Sequence, residues 1–189
     1  MNQPRRDAAF TLVELIVVVA VMAVILSYSA SGFTSSLQSQ RLGASATRLA
    51  GEHSAAQLQA IRENRNLEVR LLRQVNEFNT DNRLRGVQLQ AIDPATGNAS
   101  PVGEPITLDS GVVVYEDPAH STVLNHKTTE LPDGYYTLKP NGATDLSPAS
   151  TEKWCLTLVL ERDLKTDGGL PEDHRVLVIN AQTGAVRVY

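Results

Sequence analysis

The sequence predicts an α+β chain: one long N-terminal helix, membrane-spanning in its first part and amphipathic in its second, packed by its distal half on an antiparallel sheet. Three observations predict it. The stretch Phe10 to Phe33 is apolar, with Glu14 its only acidic residue. Beyond it Leu37, Leu42, Ala46, Leu49, Ala56 and Ala60 recur mostly at steps of three, four or seven, which keep one face of a helix apolar. From Leu67 onward, short apolar segments alternate with turn residues. The chain accordingly divides into a polar segment 1–9, a transmembrane helical segment 10–33, an amphipathic helix 34–63 and a β-rich head 64–189.

A helix over Phe10–Phe33 would run about 36 Å, enough for a hydrocarbon core of roughly 30 Å. Ile16-Val17-Val18-Val19 has strand propensity, but the length of the unbroken apolar run favours a spanning helix. Arg5 and Arg6 precede the run and favour a cytoplasmic N-terminus; Tyr28 suits the opposite interface. A cleavable secretory signal also joins basic residues to an apolar region, and Ser27, Ser29, Ala30 and Ser31 supply small residues for its peptidase. Against it stand the uninterrupted passage into an amphipathic helix and the presence of Glu14, since a carboxylate in an apolar segment is costly and ordinarily has a partner or a function.

In the head, Asn64 and Asn66 end the helical pattern. Strands are expected at Leu67–Leu72, Leu84–Ile92, Ile106–Leu108, Val112–Tyr115, Tyr135–Leu138, Leu156–Leu160 and Val176–Ile179, with Asp93–Asn98 as a turn. Gln182-Thr183-Gly184 turns the last of these into Ala185–Tyr189, a terminal hairpin.

Charge and composition restrict function. With 189 residues there is room for one modest domain and an appended element. A formal charge of −4 and a pI near 5.6 disfavour nucleic acid as the main ligand. Cys155, the single cysteine, sits among apolar residues and is expected to be a buried structural thiol. His53, His120, His126 and His174 have no compact metal-ligand spacing. The Gly-containing segment 163–173 raises calcium through Asp163, Asp167, Glu172 and Asp173, although it lacks the spacing of a helix–loop–helix calcium site and reads first as a solvated hairpin loop. No cofactor and no catalytic constellation are expected.

Ala9-Phe10-Thr11-Leu12-Val13-Glu14, followed by Leu15-Ile16-Val17-Val18-Val19-Ala20, resembles the cleavage and methylation signal of type IV prepilins and secretion-system pseudopilins. The resemblance implies cleavage by a prepilin peptidase between Ala9 and Phe10, N-methylation of Phe10, and an assembly role for Phe10 and Glu14, the Glu14 carboxylate meeting the Phe10 amine of an adjoining subunit. Ala9 stands where the family usually has glycine. More loosely, Ala55–Arg62, the strands after it and Val176–Val188 are similar in layout to minor pseudopilins of the GspH and FimT kind. A minor pilin or pseudopilin of a type IV pilus or type II secretion system follows, structural and not enzymatic, that initiates, enters or caps a filament. Its expected site is the inner membrane, single-pass, with the head periplasmic; its partners would be other pilin-like subunits, the peptidase and the assembly platform. A filament-tip ligand- or DNA-binding minor pilin would need converging cations, whereas Lys127, Lys139, Lys153, Arg162, Lys165, Arg175 and Arg187 are scattered. A secreted enzyme would need a pocket joining titratable groups.

Overall fold

The computed structural model describes residues 11–76, 79–148, 153–165 and 168–189. Helix α1 (Leu12–Glu63) is unbroken. Its C-terminus is closed by a Schellman motif: Arg65 N–H donates to the Ala60 carbonyl at 3.2 Å and Asn64 N–H to Ile61 at 3.3 Å. Asn64 takes the left-handed conformation this stop requires, at φ 48°. The asparagine read as a helix breaker is thus the C-terminal cap.

The chain forms two compact units, Met1–Gln38 and Ser39–Tyr189. In the second, the helical segment from Ser39 onward buries Leu42, Ser45, Ala46, Leu49, His53, Ala56 and Ala60. Leu42, Ala46, Leu49, Ala56 and Ala60 are the predicted positions, Ser45 and His53 are additions to them, and alanines at 46, 56 and 60 let the helix lie close to its partners. Leu37, assigned to the same face by its spacing, falls in the first unit and is 38% exposed.

Eight strands follow: β1 (Leu67–Asn76), β2 (Asn79–Ile92), β3 (Ala99–Thr107), β4 (Val112–Val114), β5 (Tyr135–Leu138), β6 (Trp154–Leu160), β7 (His174–Ile179) and β8 (Val186–Val188). They make two four-stranded antiparallel sheets, ordered β3-β2-β1-β5 and β4-β6-β7-β8, where the sequence suggested one. Helix and both sheets share one core, including Leu42 and Leu49 from α1, Leu67 and Val87 from the first sheet, and Leu158 and Leu177 from the second. Val112 and Val114 face this core while Val113 joins Tyr115 and Val159 in a smaller cluster on the opposite face of the second sheet. Burial on both faces explains the unbroken valines of β4.

Several boundaries move. The β1–β2 hairpin continues through polar residues to the pairing Asn76↔Asn79, because ladder hydrogen bonds do not require alternating side chains. β3 begins at Ala99 instead of Ile106; Pro101 and Pro105 disguise it, and it is an edge strand, where proline is tolerated. β6 starts two residues before Leu156, and β8 is confined to Val186–Val188. Cys155 is half-buried, its Sγ 3.3 Å from the His120 carbonyl. The segment after β6 opens with a 3-10 turn (Glu161–Asp163) and is more than a solvated loop: Leu164 and Leu170 pack on the Val113 cluster, and the Tyr115 hydroxyl donates to the Gly168 carbonyl.

Candidate functional site: the start of the long helix

Thr11 and Glu14 form a reciprocal cap on the first turn of α1. Glu14 N–H donates to Thr11 Oγ1 at 3.2 Å, and Thr11 N–H donates to Glu14 Oε2 at 3.2 Å. The Thr11 hydroxyl also donates to Oε2, at 3.3 Å. This is the Thr-x-x-Glu capping box, which occupies N–H groups that a helix start otherwise leaves without partners. The carboxylate lies at the positive end of the helix dipole, a second reason for an acidic residue here. Sequence reasoning assigned Glu14 to contacts between subunits; its capping role went unread, although the spacing Thr11 to Glu14 carried the signal.

Behind the cap, every large apolar side chain from Leu12 to Leu26 is exposed, the least of them Val18 at 46%. These exposed side chains fall on every side of the helix. Ser27 satisfies its hydroxyl internally by donating to the Ala23 carbonyl at 2.7 Å, the usual device for a polar side chain in an apolar helix. Among the described residues, no helix is long and apolar enough to cross a membrane. Tyr28 and Phe33, which complete the predicted apolar stretch, have side chains outside the described set, and Ala9 and Phe10 lie outside the described residues altogether.

The proposed calcium ligands are not drawn together among the described residues, which hold no group of three or more His, Cys, Asp or Glu able to bind a metal. Asp163 pairs with Arg162 Nε at 3.2 Å, and Asp173 accepts from Ser39 Oγ and from Arg175 Nη1, the latter at 3.0 Å. Asp167 lies outside the described residues. The four histidines go to four places. His120 Nδ1 is 2.7 Å from Asp117 Oδ2; with the Ala119 N–H first and His120 second, these contacts hold the Asp117 carboxyl below its usual range. His126 bonds the Tyr135 carbonyl at 2.8 Å, and His174 the Pro171 carbonyl at 2.9 Å. His53 alone is buried, at 5% exposure.

Residues 4–30 match the prokaryotic N-terminal methylation motif, so the N-terminal segment is prepilin-like. Two solved structures are similar to the chain. One is the type IV minor pilin FimU of Pseudomonas aeruginosa, at 17% identity over 78% of this chain and 87% of that one, with a TM-score of 0.47. The other is the minor pseudopilin EpsH from the type II secretion system of Vibrio cholerae, at 12% identity over 79% and 96%, with a TM-score of 0.49. No curated protein matches the sequence.

Proposed function

We propose that the chain is the precursor of a minor pilin or pseudopilin, anchored in the inner membrane by the start of α1 with its head in the periplasm. The observation that carries this reading is the methylation motif over residues 4–30, running into a helix whose apolar side chains are exposed on every side. A peptidase specific for prepilins cuts between Ala9 and Phe10, Phe10 is N-methylated, and the apolar helix holds the product in the bilayer until it enters a filament beside other pilin-like subunits and the assembly platform.

Glu14 then has two successive duties. In the isolated subunit it caps its own helix. In the filament its carboxylate receives the Phe10 amine of a neighbour, a charge-assisted contact in a low-dielectric layer. Repeated head to tail, such a contact builds an open helical polymer and not a closed dimer.

Co-expression with a prepilin peptidase followed by intact-mass measurement tests the proposal. The expected product lacks residues 1–9 and carries one added methyl group. Retention of those residues, or a new terminus near Ser31, overturns it in favour of an unprocessed chain or an ordinary secretory signal.

A further inference from the structure

We propose that His53 is an acid-sensitive latch that holds the β7–β8 turn against α1. Its Nε2 lies 2.7 Å from the Gly184 carbonyl, and its Nδ1 lies 2.8 Å from the Tyr136 hydroxyl. A carbonyl only accepts, so Nε2 carries the hydrogen, and the bare Nδ1 accepts the Tyr136 O–H. In that neutral tautomer each polar atom of the bridge has a partner.

Protonation spoils the arrangement. A hydrogen added at Nδ1 faces the Tyr136 oxygen, which must turn its own hydrogen away into an apolar wall. The elements packed around the ring supply Leu71 from β1, Val87 from β2, Leu156 from β6, Ile179 from β7 and Val186 from β8, enclosing a space of about 20 Å³. That volume admits one water at most, so an imidazolium is not fully hydrated without opening the structure. The one other titratable group facing it among the described residues is Tyr136 from β5. Burial, reinforced by the Asp145 charge beyond it, pushes the Tyr136 hydroxyl far up, so it supplies no anion to pair with the ring. On the helix itself the neighbouring acid, Glu52, is half-exposed. Burial depresses His53 below its ordinary value of 6.5, with the Gly184 carbonyl opposing in part.

The sign follows from proton counting. Below about pH 6.5 the opened state takes up the proton more readily than the closed one. The latch is therefore at full strength above that pH and is lost as pH falls from there toward the depressed value of the folded state.

The turn's holds outside α1 do not titrate: Thr144 donates its N–H and its hydroxyl to the Ala181 carbonyl at 2.9 and 3.0 Å, and β8 pairs with β7. β8 is a three-residue edge strand with Arg187 and Val188 exposed. Besides His53, α1 grips the turn through Gln57, whose Nε2 donates to the Thr183 carbonyl at 2.6 Å and to Gly142 at 2.6 Å. Gln57 does not titrate, so acid releases one of two grips one helical turn apart.

The full-length chain in detergent, taken from roughly pH 7.5 to pH 4.5, tests the latch. Hydrogen exchange over residues 180–189, corrected for its intrinsic pH dependence, should rise about tenfold or more while β1–β2 amides stay protected. Trp154, the sole tryptophan, shares an open cleft of about 340 Å³ with Asn180 and Gln182, and its fluorescence should change in step. His53→Gln, which can still donate to Gly184 and accept from Tyr136, should flatten both responses. Retention of the same acid response in that variant overturns the latch, as does loss of β1–β2 protection at the same pH. Should His53→Gln not fold, the NMR titration of His53 in the native chain decides: a midpoint clearly below 6.5 supports the latch, and one at or above it overturns the latch.

Discussion

Glu14 is asked to cap a helix and to meet a neighbour's amine, and two substitutions separate these duties. Glutamine at position 14 keeps the acceptor of a capping box and removes the charge. Glu14→Gln is therefore expected to leave the first turn of α1 intact while reducing membrane crosslinking to pilin-like neighbours severalfold; unchanged crosslinking sinks the assembly role. Thr11→Ala does the reverse, costing about 1 kcal/mol of local helix stability through the lost cap, visible as faster exchange in the first turn. At the same scale, Arg85 is the extra residue of a bulge, where Leu72 pairs with Gly86 but Arg73 with Leu84. The bulge aims Arg85 at Glu161, bidentate at 2.5 and 3.1 Å, with only 7% of the arginine side chain exposed. Arg85→Met leaves Glu161 without its partner and should cost about 3 kcal/mol in denaturant unfolding, most of it recovered when Glu161→Leu is added.

Among the elements, the tightest constraints fall where backbones approach closely. A Cβ on Gly86 would lie 2.6 Å from the Ile106 carbonyl oxygen, so Gly86→Ala must push β2 and β3 apart, at about 2 kcal/mol. Gly184 combines a φ of 64° with a Cβ direction blocked by the Gly142 carbonyl and the Gln57 amide. Gly184→Ala should cost about 2–4 kcal/mol, read as a lowered Tm, and should raise exchange over residues 180–189 at neutral pH. Strand existence was legible where a strand feeds the core, as in Leu156–Leu160, whose Leu156, Leu158 and Leu160 point inward. It was illegible where ladder bonds alone extend a strand, as in Arg73–Asn76. β3 was hidden because edge position, which permits Pro101 and Pro105, is a property of the sheet and not of the segment.

For the whole molecule, the exposed apolar run sets the dominant requirement. Covering the side chains of Leu12–Leu26 is worth on the order of 10–20 kcal/mol, as much as the entire stability of an ordinary domain. A segment of that kind does not stay in water: the chain should sediment with membranes, resist extraction by high salt, and be released by detergent. Recovery of the intact chain in the soluble fraction would contradict this.

The sequence by itself determined what depends on neighbours along the chain. The cap at Thr11–Glu14, the apolar helix, its stop at Asn64 and the alternation of its core face are set within one or two helical turns, and the methylation signal lies in consecutive residues. Only the tertiary structure decided the division into two sheets, the bulge that turns Arg85 to Glu161, and the burial of His53. His53 occupies the gap between Leu49 and Ala56 on the apolar stripe, so its burial was implicit in the spacing. Its partners were not: Tyr136 and Gly184 lie 83 and 131 residues further along the chain. Which carbonyl meets the ring is decided by how both sheets close over the helix, because long-range pairing leaves no periodic mark on the local sequence.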